Sequence, residues 1–254
     1  MRTVRLERRE NLAILRLDKA RGNSIDPALV EDLIETVGEA ARDEGVRGVL
    51  LASAHPRLFC PGLDLVALTT MSRDALAGFM ARFAEMVWTL YSLRKPMVAA
   101  LSGHAVAGGC ILALTADWRV LGPGAEVGLN EVKIGLPLPW SVALLVRASV
   151  SPPAIGRVAL LGRNFAGQAA VDAGIVDELA PAGVEEASLA RLAELAEKDP
   201  RAVAVTKGYL RSGVLAEMKA REAEEQDVFL DAWFSPDTQR RVRAIIESLG
   251  RSSA

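Results

Sequence analysis

The sequence predicts an α/β fold in which helices connect the strands of a sheet. Gly48–Ser53, Met97–Leu101 and Trp118–Leu121 are short apolar runs of the kind that form buried strands. Longer stretches with helical spacing lie before and between them, at residues 27–40 and 72–92. Strands that alternate with helices in this way form crossover units around a mainly parallel sheet.

The first elements are a hairpin and a helix. Residues 4–6 and Leu12–Leu17 alternate apolar with polar side chains around a turn at residues 9–11, which is typical of a β-hairpin. Pro27 opens the first helical pattern, and Asp26 before it is the predicted N-cap.

The middle of the chain adds a helix, a glycine turn and further strands. Pro96 stops the amphipathic helix predicted over residues 72–92. Residues 103–117 are rich in glycine and small apolar side chains, and they predict a glycine turn that leads into a helix. One more strand is predicted within residues 171–179.

The last third is predicted to be helical, over residues 187–198, 201–210 and 215–249. We interpret the many Glu and Arg side chains of the last segment as a solvated face. Its large apolar residues are Val228, Phe229, Trp233, Phe234, Ile245, Ile246 and Leu249. Because one helix rarely buries so much aromatic surface alone, this region is predicted to pack against another subunit.

Composition places the chain among globular proteins. Of its 254 residues 50% are hydrophobic and 24% charged, and this high apolar content excludes a disordered chain. The formal net charge of −2 gives no general attraction to nucleic acid or to an anionic membrane. No apolar run approaches the roughly 20 residues of a membrane-spanning helix. The first residues are charged and lack a signal-peptide core, and arginine outnumbers lysine, so we expect a bacterial cytoplasmic protein.

Several common motifs for cofactors and nucleophiles are missing. The glycines at residues 107–109 do not follow the G-x-G-x-x-G spacing, and the sequence has neither a phosphate loop nor a G-x-S-x-G elbow. Cys60 and Cys110 are interpreted as small buried thiols, and no Cys/His cluster predicts a metal site. His55 and His104 are interpreted as loop or packing residues.

Two glycine turns remain as candidates for chemistry. One lies at residues 62–65 and the other at residues 108–109, where a helix is predicted to start. The first N–H groups of a helix have no partner within it and carry partial positive charge. Two such donors that converge on one carbonyl oxygen would form an oxyanion hole, whereas the alternative interpretation of each turn is tight packing.

A further segment, VGLNEVKIGLPLPW at residues 127–140, completes a set of motifs. The chain resembles the crotonase (enoyl-CoA hydratase/isomerase) superfamily along nearly its whole length, and most of all its mitochondrial-type Δ3,Δ2-enoyl-CoA isomerases. The matching stretches are RGNSID at residues 21–26, FCPGLDL at 59–65, AGGC at 107–110, GLNE at 128–131 and AAVDAGIVDELAP at 169–181.

The resemblance implies a crotonase-like spiral of ββα turns with a helical C-terminal trimerisation region. Residues 1–190 would form the core with the acyl-CoA site, and residues 191–254 the oligomerisation region. The expected substrate is an acyl-CoA thioester of fatty-acid β-oxidation, and the expected assembly is a homotrimer or a dimer of trimers. No metal or cofactor is expected, since coenzyme A arrives as part of the substrate.

The resemblance also assigns roles to single residues. The backbone N–H groups of Leu63 and Gly108 fall on the oxyanion donors of the family, and Glu131 falls on the isomerase acid/base. The other implied substrate contacts are Asn23, Ser24, Pro61, Gly62, Asp64, Leu65, Ile111, Asn130 and Trp140. A surface carboxylate near a turn is the alternative interpretation of Glu131.

Ile111 separates this chain from the hydratases that it resembles. Those enzymes carry a second Glu at this position, and addition of water calls for a water activated between two carboxylates. A double-bond shift needs one carboxylate and a dry site, which Ile111 and Trp140 would provide. The predicted activity is therefore enoyl-CoA isomerisation. The alternatives are a hydratase with its second carboxylate elsewhere, a decarboxylase or thioesterase, and a non-catalytic acyl-CoA-binding scaffold.

Overall fold

Two sheets organise the chain, and the larger one has six strands. The computed structural model describes residues 2–20 and 22–252, with 249–252 given as helix only. The strand order is β1 (Val4–Arg9), β2 (Leu12–Leu17), β3 (Gly48–Ser53), β5 (Met97–Leu101), β7 (Trp118–Leu121) and β10 (Glu178–Leu179). Strands β1 and β2 form the predicted antiparallel hairpin, and the later neighbours are parallel, as the helical crossovers require.

The smaller sheet has four short strands. Their order is β4 (Leu58–Cys60), β6 (His104–Val106), β8 (Glu126–Gly128) and β9 (Asn164–Ala166), and only β9 runs antiparallel to its neighbour. None of these strands was predicted, because three residues are too few to show a period of two. The region 103–117, predicted as a turn and a helix, begins with β6.

Nine α-helices complete the described part of the chain. They are α1 (Pro27–Arg42), α2 (Leu65–Thr69), α3 (Arg73–Tyr91), α4 (Gly108–Leu114), α5 (Trp140–Ser149), α6 (Gln168–Asp172), α7 (Val184–Ala196), α8 (Pro200–Phe234) and α9 (Pro236–Ser252). The predicted N-cap of α1 is confirmed, since Asp26 accepts a hydrogen bond from the Leu29 N–H at 3.0 Å. None of the described helices is both long and apolar enough to cross a membrane.

The core lies on both faces of the larger sheet. In β3, Val49 and Leu51 belong to the cluster that includes residues of α1 and α3, whereas Leu50 and Ala52 belong to the cluster that includes residues of α7. This alternation follows from the period of two in a strand. It explains why Gly48–Ser53 reads as a continuous apolar run.

The C-terminal helices differ from the prediction in their boundaries. Helix α8 runs without a break through residues 211–214, where the prediction left a gap, and the predicted helix 215–249 is broken before Pro236. Pro236 suits the first turn of α9, since that position needs no N–H partner. The strand predicted within residues 171–179 is confirmed as β10 (Glu178–Leu179), and the first two residues of that range belong to α6, which ends at Asp172.

Two of the aromatic residues predicted to face another subunit are buried by their own chain. Phe229 and Trp233 are 3% and 1% exposed, whereas Val228 and Phe234 are exposed. The prediction is therefore wrong for Phe229 and Trp233. The side chain of Leu249 lies outside the described part. The expected boundary between residues 190 and 191 falls inside α7, and the division into core and oligomerisation region stays a prediction.

Candidate active site

Three parallel strands carry the candidate residues to one edge of the smaller sheet. Strand β4 pairs with β6, and β6 pairs with β8, all in the same direction. The loops that follow these strands therefore leave the sheet at the same edge, where α/β proteins commonly bind ligands. Leu63 follows β4, Gly108 follows β6 and Glu131 follows β8. The topology thus places the three predicted catalytic residues at one edge.

The first two loops touch through their backbones. A Cβ added at Gly62 would lie 3.1 Å from the Gly108 nitrogen, and one added at Gly108 would lie 3.1 Å from the Gly62 Cα. Gly62 also has a φ of +101°, which side chains rarely adopt. A side chain at either position would crowd the opposite loop, and the positive φ of Gly62 further favours glycine there.

Ala107 sets the direction in which helix α4 leaves the sheet. Its φ of +48° and ψ of −122° are unusual for a residue with a side chain, and such strain concentrates at functional sites. The Ala107 N–H donates to the Gly128 carbonyl oxygen at 2.8 Å, which ties this loop to the end of β8.

Two backbone donors at this edge have no acceptor among the described residues. Within the described part of the chain, neither the Leu63 N–H nor the Gly108 N–H donates a hydrogen bond. Gly108 is the first residue of α4, so its N–H has no helical partner. Unpaired backbone donors are rare in buried regions of proteins. Gly108 is buried and Leu63 is half-buried, so within the described part of the chain both N–H groups are free to donate to a bound ligand.

Glu131 is a buried carboxyl group at the end of the loop that follows β8. It opens the 3-10 turn Glu131–Ile134 and is 9% exposed. Among the described residues, its Oε2 is the one buried side-chain polar atom without a hydrogen-bond partner. Burial raises the pKa of Glu131 to about 7, although the N–H groups of Glu131 and Asn130 act in the opposite direction. Such a carboxyl group can accept or donate a proton near neutral pH.

Helix α4 lies near Glu131. Burial first, and then the charge of Glu131, raise the pKa of the Cys110 thiol. Ile111 is the next residue, and its side chain is apolar and 3% exposed. The position where hydratases of the family carry a second Glu therefore holds a buried apolar side chain. No second carboxylate of the described residues contributes to the pKa shift of Glu131.

The predicted buried thiols are confirmed at both cysteines. Both side chains are fully buried and free of disulfides. Burial raises the pKa of Cys60 to about 12, so its thiol stays protonated at neutral pH.

The loop before α1 holds two of the predicted substrate contacts. Asn23 is 0% exposed, and its amide nitrogen donates to Ser53 Oγ and to the Phe59 carbonyl oxygen, both at 2.9 Å. Its side chain therefore fastens the loop and does not face a ligand. Ser24 Oγ donates to Asp64 Oδ2 at 3.0 Å.

Most of the remaining predicted contacts lie in the loops that follow β4 and β8, whereas Trp140 contacts α8. Pro61, Gly62, Asp64 and Leu65 lie in the loop that follows β4, and Asn130 precedes Glu131. Trp140 instead contacts α8, where its Nε1 donates to the Glu217 carbonyl oxygen at 3.2 Å and the Arg221 guanidinium lies 4.2 Å from its ring centre. None of the described contacts of Trp140 is with Glu131.

Lys19 is a residue of this region that the sequence prediction missed. Its ammonium group pairs with Asp26 at 2.7 Å and with Asp64 at 3.5 Å. A single lysine in a loop shows neither periodicity nor a motif, so no sequence signal singled it out. Among the described residues, no group of three His, Cys, Asp or Glu side chains is placed to hold a metal ion.

Comparison with known proteins finds one family and relatives that cover most of the chain. Residues 7–249 match the family described as enoyl-CoA hydratase/isomerase. The chain is 27% identical to human mitochondrial enoyl-CoA delta isomerase 1 over 94% of this chain and 80% of that protein. It is 28% identical to the 2,3-dehydroadipyl-CoA hydratase of Escherichia coli K12 over 95% of this chain and 94% of that protein.

A solved structure extends the similarity to the fold. The crystal structure of human mitochondrial Δ3,Δ2-enoyl-CoA isomerase superposes with a TM-score of 0.95, at 26% identity, over 99% of this chain and 100% of that one. The predicted α/β fold with a helical C-terminal region is confirmed.

Proposed function

The chain belongs to the enoyl-CoA hydratase/isomerase family and has the crotonase fold, and we propose that it is a Δ3,Δ2-enoyl-CoA isomerase. Relatives named for isomerisation and for hydration both match most of the chain, so residue chemistry must decide between the two reactions. The observation that carries the proposal is Glu131, a buried carboxyl group with a raised pKa and no second carboxylate acting on it.

In the proposed reaction Glu131 moves one proton. Its carboxylate takes a proton from C2 of a 3-enoyl-CoA, and the electrons of that C–H bond pass into a dienolate that ends at the thioester oxygen. The same carboxyl group returns the proton at C4, and the double bond then lies between C2 and C3. No water or redox partner enters the balance.

The unpaired N–H groups of Leu63 and Gly108 support the second part of the proposal. They would donate to the thioester oxygen, where negative charge develops, and so stabilise the dienolate. Removal of one such donor typically costs about 10²–10³-fold in kcat. The contact between the two glycine loops brings these donors near each other.

Ile111 supports isomerisation over hydration. A hydratase needs a water molecule that is held and activated between two carboxylates, and Ile111 offers no polar group for it. Ile111 follows Cys110, whose pKa the charge of Glu131 raises, and an apolar side chain there would protect the dienolate from side reactions with water.

The test is to incubate the protein separately with a 3-enoyl-CoA and with the matching 2-enoyl-CoA. We expect interconversion at constant mass, with NMR locating the double bond. Rapid conversion of the 2-enoyl-CoA to a product heavier by one water would make the protein a hydratase and overturn the proposal. Release of free CoA or of carbon dioxide would indicate a thioesterase or a decarboxylase, and binding without turnover a scaffold.

The proposed partners are an acyl-CoA thioester and further copies of this chain. The exposed apolar side chains of Tyr209 and Leu210, 80% and 76% exposed on α8, support self-association. We expect a homotrimer or a dimer of trimers in light scattering. A monomer with full activity would contradict this.

A further inference from the structure

One ammonium group joins two loops beside the candidate oxyanion hole. Lys19 Nζ donates to the Ser24 carbonyl oxygen at 2.7 Å and pairs with Asp26 Oδ2 at 2.7 Å and with Asp64 Oδ2 at 3.5 Å. Its side chain is only 16% exposed, so these interactions are weakly screened by solvent. Ser24 Oγ adds a second link by donating to Asp64 Oδ2 at 3.0 Å.

Each of the two carboxylates also caps a helix. Asp26 accepts from the Leu29 N–H at 3.0 Å at the start of α1, and Asp64 accepts from the Ala67 N–H at 3.1 Å at the start of α2. Lys19 therefore fixes two helix starts relative to each other.

Leu63 lies between these anchored points. Ile25 and Leu63 form a parallel bridge, in which the Ile25 N–H donates to the Gly62 oxygen and the Asp64 N–H donates to the Ile25 oxygen, both at 2.8 Å. The Ile25 side chain also reaches Gly108, where an added Cβ would lie 2.7 Å from Ile25 Cδ1. Residues 24–26 thus contact the loops of both candidate donors.

The charge balance explains why a cation is needed here. Burial acts to raise the pKa of Asp64, but the hydrogen bonds from Ala67 and Ser24 and the charge of Lys19 lower it below its usual value. Without Lys19, the partly buried carboxylates of Asp26 and Asp64 would lose the cation with which both pair. Like charges repel, so the contact between the two loops would weaken.

We propose that Lys19 is a positioning residue, which holds the Leu63 N–H in place for the thioester oxygen through Ser24, Asp26 and Asp64. This inference rests on the proposed function, and it goes further by assigning a role to a residue outside the oxyanion hole. A donor displaced by about 1 Å can cost on the order of 10²-fold in rate.

The first experiment compares Lys19→Met with a matched control, Lys95→Met. Lys95 is also partly buried, and its Nζ donates to the Ala40 and Asp43 carbonyl oxygens at 2.8 and 2.6 Å, away from these loops. For Lys19→Met we expect kcat to fall about 10- to 100-fold with KM changed less than about threefold. Lys95→Met should keep kcat, and Lys19→Arg should recover most of it. Equal kcat in Lys19→Met and wild type would overturn the inference.

A second substrate separates positioning from direct contact with the CoA phosphates. The enoyl thioester of pantetheine has no nucleotide and no phosphate. If Lys19 positions Leu63, the loss in kcat is the same with both thioesters. A loss that appears only in KM, and only with the CoA thioester, would overturn the inference in favour of phosphate binding.

A third measurement does not depend on the reaction. Hydrogen–deuterium exchange of residues 61–69 should be faster in Lys19→Met than in wild type, and unchanged in Lys95→Met. If exchange rises while the wild type shows no isomerase activity, the proposed function fails and the role of Lys19 in the loop stands. If isomerisation is present and exchange is unchanged, the inference on Lys19 fails alone.

Should Lys19→Met not fold, Ser24→Ala removes one link and should shift kcat and exchange in the same direction.

Discussion

Gly109 lies so close to Cys60 that a Cβ added at Gly109 would be 2.0 Å from the Cys60 carbonyl oxygen. The obstructing atom belongs to the backbone, so no side-chain rotation can relieve the contact. The first turn of α4 is therefore set directly against the end of β4, and this contact fixes the distance between the two glycine loops.

Gly109→Ala is expected to destabilise the protein strongly, because the backbone of β4 or α4 must move. Gly213→Ala is the matched control, since Gly213 lies in α8 with nothing within 4 Å of an added Cβ. In an exposed helix, Gly→Ala stabilises by about 0.5–1 kcal/mol. Urea unfolding of both variants checks the pair, and equal effects would contradict the predicted contact.

Glu131→Gln is expected to keep the fold and acyl-CoA binding and to lose most activity, because an amide cannot accept the C2 proton. Loss of a general base typically costs about 10²–10⁴-fold. Turnover of a 3-enoyl-CoA is measured together with binding of the 2-enoyl-CoA product. Near wild-type turnover in the variant would show that Glu131 is not the base.

Ionisation of Glu131 is expected to lower stability as the pH rises. Its pKa is about 7 in the folded protein, against 4.5 for the free side chain, so between these values the folded state binds a proton that the unfolded state has lost. The free energy of unfolding therefore falls through this window, by roughly 3 kcal/mol for this group. Urea unfolding at about pH 5 and about pH 8 tests this, and Glu131→Gln should lack that part of the decline. Parallel declines in the two proteins would contradict it.

Ile111→Glu is expected to lower both stability and isomerase activity, because a carboxylate without a partner would replace a side chain that is 3% exposed. Such burial costs several kcal/mol. Ile111→Leu, the control, conserves volume and should cost less than about 1.5 kcal/mol. Any hydration of 2-enoyl-CoA should appear in the Glu variant only. Rapid hydration of 2-enoyl-CoA by the wild type would show that Ile111 does not prevent hydration.

Trp233→Ala is expected to cost about 3–5 kcal/mol, since the removed ring leaves a cavity in the core. Trp233 is 1% exposed, whereas the next residue, Phe234, is 39% exposed and serves as the control. Surface substitutions such as Phe234→Ala usually stay within about 0.5 kcal/mol. Chemical unfolding compares the two variants. Similar costs would contradict the burial of Trp233 within its own chain and the exposure of Phe234.

Local sequence signals determined the long elements of the fold. Asp26 and Pro27 mark the start of α1, and Ser72 caps α3 by accepting from the Ala75 N–H at 3.2 Å. Continuous apolar runs identified β3 and β5, because strands covered on both faces need apolar residues at every position. Motif resemblance gave the family and the candidate residues Leu63, Gly108 and Glu131, but it did not give their spatial relation.

Tertiary structure alone decided that those residues lie at one edge of the smaller sheet. Strands β4, β6 and β8 have three residues each, too few for a pattern, and they exist because each pairs with its neighbour. The burial of Trp233 depends on residues distant in the chain. The close approach of Gly109 in α4 to Cys60 in β4 likewise joins residues far apart in sequence. Lys19 reaches Asp64 only when residue 64 folds back onto residues 24–26. Contacts between residues far apart in sequence leave no local periodicity, so composition and spacing could not reveal them.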